Sequence, residues 1–294
     1  MKGPFQGSLV ALPTPFRDGR VDYPALRRLI EFQLEGKSDG LILAGSTGEG
    51  VTLTARERLS VIEYGAGVAD GRVPVVAGVG SSDTRVACEL ALAAERAGAD
   101  GLLASTPAYN KPQQRGLVAH FGAVAEVSSL PLVLYNIPGR TGRVLETAGM
   151  LELAKTPNIA GVKQSVDDIG IPTLELLAGA PRDFAVLGGD DYLLLPLTYL
   201  GGVGAICASA HVCMERFVAE FECGVAGKVE EGRAHHEALL PVVQACFAEP
   251  NPSVFKAALH AQGRIPTPDV RLPLVNASDA ARDRALEAIA AAQG

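Results

Sequence analysis

The sequence predicts an α/β protein, a (β/α)8 TIM barrel with a C-terminal helical extension. Three observations carry that expectation. Eight short runs rich in Leu, Val and Ile recur along the chain, each run is continuously apolar, and each is followed by a segment with helical patterning. Unbroken apolar runs are what parallel strands covered on both faces require, whereas a half-exposed strand would alternate. The runs succeed one another every roughly 28 residues, the size of one strand–helix unit.

In chain order the strands are expected at 8–12, 40–44, 73–77, 101–104, 132–135, 159–163, 184–187 and 203–207. Between the first two, Leu26, Leu29, Ile30 and Leu34 fall on one helical stripe of the segment 23–35. After the second, Thr54-x-x-Glu57 reads as a capping box, in which each side chain satisfies a backbone N–H at the other's end. Eight such units account for residues 1–217, and residues 218–294 remain as the extension, with helices expected at 218–247, 252–262 and 277–293. Pro266, Pro268 and Pro273 mark the loop before the last of these. The rival architecture, an open doubly wound sheet, usually carries a Gly-rich turn after its first strand. Pro13-Thr14-Pro15 stands there instead.

Composition narrows the function. With 294 residues, 48% hydrophobic and 20% charged, the chain can bury a large core and is not a disordered polymer. A net charge of −7 disfavours phosphate backbones and acidic lipid, so neither nucleic acid nor membrane is an expected partner. Tryptophan is absent and aromatics are 5%, which removes the stacking platforms of single-strand binders. The five cysteines form no C-x-x-C pair and are odd in number, so free thiols in a reducing compartment are expected. The start, Met1 to Phe5 and the short run beyond it, breaks at Pro13 and lacks a secretory core. A cytoplasmic location follows as an expectation. The stretch 193–214 carries no charged residue and has the length of a membrane span, but Pro196, Gly201, Gly202, Gly204 and His211 interrupt it. A helix followed by a buried strand is the better reading.

Barrel enzymes gather their chemistry at the C-terminal ends of the strands. Those ends here are Gly45-Ser46-Thr47-Gly48-Glu49, Thr106-Pro107-Ala108-Tyr109-Asn110, Tyr135-Asn136-Ile137-Pro138-Gly139-Arg140, Val162-Lys163-Gln164-Ser165, Gly188-Gly189-Asp190-Asp191 and Ala208-Ser209. Lys163 closes an apolar run, and alternation places it on one face with Ile159 and Gly161, the glycine leaving space beneath it. Lysines rarely occupy such positions without a charge partner or a reaction to perform. At its ordinary pKa a lysine is the free amine in roughly one molecule in 2,500 at pH 7. Desolvation can lower that pKa by as much as about 3–5 units and make the amine a nucleophile toward carbonyls. The plainer alternative is a lysine that snorkels to the rim or pairs with Asp190.

Tyr135 could shuttle protons beside a forming carbinolamine if Thr47 and Tyr109 completed a hydroxyl chain. Each of these is otherwise an ordinary core, turn or cap residue. Arg140 could grip a substrate carboxylate in two places, or simply be solvated. Gly188-Gly189 and Gly201-Gly202-x-Gly204 raise a phosphate-binding or flavin barrel, but neither segment has a cation and Asp190 and Asp191 would repel an anion. Asp190, Asp191 and His211 could be imagined as metal ligands, yet no second histidine lies at a strand end, so no metal is expected.

Gly45-Ser46-Thr47-Gly48-Glu49, Tyr135-Asn136-Ile137-Pro138-x-Arg140-Thr141-Gly142 and Gly161-Val162-Lys163 resemble, in this order, the pyruvate-dependent class I aldolases of the dihydrodipicolinate synthase/N-acetylneuraminate lyase family. Thr106-Pro107-x-Tyr109-Asn110-Lys111-Pro112, Gly189-Asp190-Asp191, Glu249-Pro250-Asn251-Pro252 and Arg271-Leu272-Pro273 extend the similarity from Val10 to Pro273. The resemblance implies an imine between Lys163 and pyruvate, with no other cofactor. It implies Tyr135 as proton donor and acceptor, linked through Thr47 to a Tyr109 that reaches in from a neighbouring subunit of a homo-oligomer, a dimer or tetramer. Ser46 stands where the synthase branch more often has threonine. Thr47, Ile206 and Gly189 match substrate-binding positions, and Arg140 matches the residue that recognises the second substrate's carboxylate, which the sugar-acid lyases lack. The implied reaction joins pyruvate to L-aspartate 4-semialdehyde on the diaminopimelate route to lysine. Gln164-Ser165 and Ala108 keep open a related lyase for another 2-oxo acid, and a pyruvate sensor without turnover is a third possibility. Ser82, Val86 and Ala108 replace Asn, Glu and Tyr of the lysine-inhibited members, so weak or absent inhibition by lysine is expected.

Overall fold

A computed structural model describes residues 5–293; residues 1–4 and 294, at the ends of the two expected regions and including most of the N-terminal start, lie outside the described residues. Eight strands form one closed parallel barrel: β1 (Gly7–Ala11), β2 (Gly40–Leu43), β3 (Val75–Gly78), β4 (Gly101–Ser105), β5 (Leu132–Asn136), β6 (Ile159–Gln164), β7 (Ala185–Gly188) and β8 (Gly204–Cys207). Neighbours in sequence are neighbours in the sheet, and β1 closes the ring by pairing with both β2 and β8. Each expected strand is present, with ends displaced by no more than two residues. A short antiparallel hairpin, Phe16–Arg17 with Arg20–Val21, follows β1.

The continuous apolar runs are explained by two separate cores. Leu9, Ala11, Ile42, Val76, Leu103, Val133, Ala185, Leu187 and Ile206 fill the barrel, and Phe5 joins them. Val10, Leu41, Leu43, Val75, Leu102, Leu132, Leu134, Val162 and Val186 face outward into the surrounding helices. Burying one such Leu or Val is worth about 1.5–3 kcal/mol. The surrounding helices are α1 (Tyr23–Glu35), α2 (Ala55–Ala69), α3 (Thr84–Arg96), α4 (Gln114–Glu126), α5 (Thr147–Leu153), α6 (Ile171–Gly179), α7 (Leu194–Tyr199) and α8 (Ala210–Ala226). Then come α9 (Val229–Cys246), α10 (Ser253–Ala261) and α11 (Asp279–Gln293). The capping box Thr54–Glu57 starts α2.

Three expectations need correction. The single helix at 218–247 is two helices, because Gly227 takes a left-handed φ of 68° and caps α8. Its first helix also starts earlier, at Ala210, so the division at 217/218 falls inside α8. Second, Ile159 does not share a face with Lys163. The β5–β6 register shifts by one residue, Leu132 pairing with Ile159 but Val133 with Gly161. That irregularity reverses the alternation and sends Ile159 into the outer core beside Val162. Gly161 is required by β7, since a Cβ there would lie 2.4 Å from the Ala185 carbonyl oxygen. Third, Gly201, Gly202 and Gly204 lie at the start of β8, on the opposite end from the strand C-termini, and cannot form a phosphate cradle at the mouth. The stretch 193–214 holds α7, β8 and the first turn of α8, and no described helix is long and apolar enough to cross a membrane.

The C-terminal segment is tied to the loop after β2 by a buried charge network. Lys256, fully buried, donates to Glu49 Oε1 at 2.5 Å and to the Asp269 carbonyl at 2.7 Å. Burial pushes the Lys256 amine down to about 8, against the opposing pull of Glu49. The Arg271 N–H donates to Glu49 Oε2 at 2.8 Å, and its guanidinium forks onto Glu57 at 2.9 and 2.6 Å. That fork, helped by the Thr54 hydrogen bonds and opposed by burial, lowers Glu57 from its ordinary 4.5 to about 2. A carboxyl depressed on folding stabilises the protein above its unfolded pKa and loses that contribution as pH falls toward the folded value. Glu57→Gln is therefore expected to lower the melting temperature by about 2–4 °C at pH 7. The gap should narrow as pH falls from 4.5 toward 2; melting curves that keep it constant across that range would refute the assignment.

Candidate active site

The C-terminal ends of the strands open into a cavity of about 360 Å3. Its floor is Ala11, Ile42, Leu103 and Ile206, the top layer of the barrel filling. Lys163 enters from β6, and the register sets it directly beside Tyr135 of β5. The two side chains are 6% and 7% exposed, and Nζ lies 4.4 Å from the phenol ring centroid. Among the described residues no carboxylate lies within ion-pair distance of Lys163, and no hydrogen bond from its amine is formed. Snorkelling and an Asp190 pair, the two plainer readings, are both absent from this geometry.

The neighbouring carboxylates are occupied elsewhere. Asp190 accepts from Ser165 Oγ at 2.8 Å and from the Asp167 N–H at 2.9 Å. Asp191 is buried and accepts the backbone N–H groups of Ala208, at 3.0 and 3.2 Å, and Ser209, at 2.6 Å. Burial raises both carboxyls, and the hydrogen bonds partly oppose it. Gly189 lets β7 lie close to β6 beside the lysine: a Cβ there would meet Ser165 Cβ at 2.7 Å, the Gln164 carbonyl oxygen at 2.9 Å and Lys163 Cε at 3.0 Å.

Ser46 and Thr47 reach the cavity from the loop after β2. Thr47 is buried, and its Oγ1 accepts from Asn251 Nδ2 at 3.0 Å. Asn251 is a residue whose role the sequence did not disclose; its motif was visible, its partner was not. It lies 204 positions from Thr47 and, with Val243, Gln244 and Phe247 of the α9 region, forms the far wall. Arg140 lines the cavity from the helical turn Pro138–Thr141 after β5. Thr141 holds that turn by donating to the Ile137 carbonyl at 3.0 Å.

Tyr109 is the exception. It is 95% exposed, has a left-handed φ of 72° and does not line the cavity, so a single chain does not bring it to Thr47 and Tyr135. His211 is also elsewhere. Its ring accepts from Gln33 and contacts the Ala11 carbonyl at 2.9 Å, and burial lowers it to about 4. Among the described residues no group of three His, Cys, Asp or Glu could hold a metal ion. Gln164, set in the strand beside the lysine, is spent on Asn136 and Thr173 and does not line the cavity.

A closed parallel barrel with an amine and a phenol enclosed in its mouth defines a (β/α)8 enzyme of the class I aldolase type. Residues 4–292 match the model of the dihydrodipicolinate synthetase family, and the chain belongs to that family. It is 44% identical over 271 residues to the 4-hydroxy-tetrahydrodipicolinate synthase of Neisseria gonorrhoeae, covering 92% of both chains. Among solved structures it resembles the dihydrodipicolinate synthase of Thermotoga maritima, with a TM-score of 0.96, 34% identity and 99% of each chain covered. It also resembles the chloride-inhibited dihydrodipicolinate synthase of Acinetobacter baumannii complexed with pyruvate, at a TM-score of 0.94 and 36% identity, covering 98% of this chain and 99% of that one.

Gly189→Ala tests whether space at β7 positions the amine. If Lys163 is the amine that reacts, its trapping by a 2-oxo acid and borohydride is expected to slow about tenfold, because a displaced reacting atom forfeits alignment, with circular dichroism checking that the barrel survives the contact with the Gln164 carbonyl. An unchanged trapping rate would show that the glycine has no such role.

Proposed function

We propose that this protein condenses pyruvate with L-aspartate 4-semialdehyde to 4-hydroxy-tetrahydrodipicolinate, through an imine on Lys163. The observation that carries the reading is the enclosed lysine without a carboxylate partner, set against Tyr135 in a cavity that Arg140 borders. The synthase names of the relatives support the substrate pair, and the pyruvate complex of the Acinetobacter baumannii enzyme supports the first step.

The amine adds to C2 of pyruvate, and the carbinolamine loses its hydroxyl as water to leave the imine, with Tyr135 giving and taking protons. Loss of a C3 proton gives an enamine, the imine nitrogen having accepted the electron pair. C3 then attacks the aldehyde carbon, whose oxygen takes up a proton. Finally the substrate's own amino group attacks C2 and expels Lys163, which closes the ring and restores the enzyme. No electrons leave the system, so the imine alone suffices as electron sink and the reaction calls for neither metal nor organic cofactor. Thr47 and Ser46 line the pyruvate end, the Ile206 and Gly189 segments form its walls, and Arg140 receives the carboxylate of the aldehyde substrate. The extension from residue 218 onward belongs to this unit because its Val243, Gln244, Phe247 and Asn251 wall the cavity.

Tyr109, on this reading, completes the proton path in a second copy of the chain, so the working enzyme is a homo-oligomer. Its exposure, together with the 89% exposure of Val51, supports a surface that another copy covers. The absence of a described membrane-crossing helix and the five free cysteines accord with a cytoplasmic enzyme.

Intact-mass analysis after borohydride treatment with pyruvate is expected to show one pyruvyl adduct per chain, and none in Lys163→Ala. An adduct that survives the substitution would defeat the reading; an adduct without consumption of the aldehyde would favour a sensor. Free L-lysine is expected to inhibit weakly or not at all, since Ser82 turns its hydroxyl to the Ala108 carbonyl and Val86 lines an apolar cleft. Micromolar lysine inhibition in a steady-state assay would contradict that.

A further inference from the structure

Asp167 stands at the mouth of the cavity in a left-handed backbone conformation, φ 67°, that few residues other than Gly, Asn and Asp adopt. Both of its backbone polar groups are held by side chains. Its N–H donates to Asp190 Oδ2 at 2.9 Å, and its carbonyl accepts the Tyr192 hydroxyl at 3.1 Å. The carboxylate itself is exposed, lines the same cavity as Lys163 and Arg140, and among the described residues accepts no hydrogen bond and pairs with no cation. Arg140 is likewise without an ion pair among the described residues. One unpaired anion and one unpaired cation therefore border a cavity whose depth holds an unpartnered amine, 6% exposed.

That arrangement matches the two ends of a zwitterionic aldehyde. The aldehyde carbon goes down to the enamine on Lys163, while the ammonium and carboxylate of an α-amino acid remain at the rim. A sugar-derived aldehyde offers hydroxyls there and a simple acid aldehyde offers no cation. We propose that Asp167 is a specificity-determining residue that selects an α-amino aldehyde by pairing with its ammonium, while Arg140 takes the adjacent carboxylate. The inference rests on the condensation proposed above and adds to it the group that distinguishes this substrate from others of similar length.

The test compares recognition of two four-carbon aldehydes by the full-length protein at saturating pyruvate: KM for L-aspartate 4-semialdehyde as substrate, and Ki for succinate semialdehyde, which has the same carbon chain but no amine to close the ring, as a competitor against it. Asp167→Asn is expected to raise KM for the amino aldehyde five- to tenfold, as loss of one partly exposed charge-assisted hydrogen bond implies, and to leave Ki for succinate semialdehyde unchanged. Asparagine keeps the left-handed conformation and removes only the charge. Asp168→Asn, at an exposed neighbour that does not line the cavity, should leave both constants where they are. An Asp167→Asn KM equal to wild type, or an equal weakening of both aldehydes, overturns the inference while leaving the condensation intact. A wild type that traps pyruvate but consumes no amino aldehyde overturns both.

Discussion

An amine enclosed without a direct ion-pair or hydrogen-bond partner is the constraint on which the rest of the site depends. A charged group in such a place is expensive, and proteins normally neutralise it by pairing or by shifting its protonation. Around Lys163 the Asp190 and Asp191 carboxyls are hydrogen-bonded to a hydroxyl and to backbone N–H groups, so each acts on the amine only across a distance, without an ion pair. In the proposed imine a covalent bond to a keto acid would relieve that situation, because the acid group brings its own negative charge. The geometry around it is subordinate to this. Gly189 supplies the volume, the β5–β6 register supplies the phenol, and the apolar floor keeps water out.

The chain contains a second buried lysine, and the contrast is instructive. Lys256 is more deeply enclosed than Lys163, yet it meets Glu49 and a backbone carbonyl and lies 4.1 Å from the ring centroid of Phe16. Its amine is engaged by these acceptors, which suits a structural tie. Removing one partner from such a pair typically costs about 3–5 kcal/mol, because the other charge is then stranded. Burial alone does not separate the two lysines; the presence or absence of a direct acceptor does.

Much of the fold was legible because its signals are local. Strand identity followed from continuous hydrophobicity, and the cap at Thr54 from a four-residue pattern. What escaped depended on partners distant in sequence. The shift between β5 and β6 arises from a neighbouring strand, so counting along 159–163 placed Ile159 on the wrong face while still placing Lys163 at the mouth. Gly227, a breaker visible inside the expected helix 218–247, ends the helix there through its left-handed φ of 68°. Asn251 and Lys256 are ordinary residues until the loop after β2 is set against them. Tyr109 could not be placed from one chain because its surroundings in one chain are solvent. The left-handed turn at Asp167 has no glycine to announce it.

The hydrogen bond between Thr47 and Asn251 spans 204 positions, and the ion pair between Glu49 and Lys256 spans 207. Contacts of that separation carry the loop-closure entropy of everything between them, as does the closure of the barrel itself, where Gly7 of β1 pairs with Gly204 of β8. During synthesis, the threonine loop leaves the ribosome long before its support exists. A nascent chain that has already laid down all eight strands still lacks the segment that steadies the mouth. The mouth of the barrel therefore has its full set of supports only once nearly the whole polypeptide has been made.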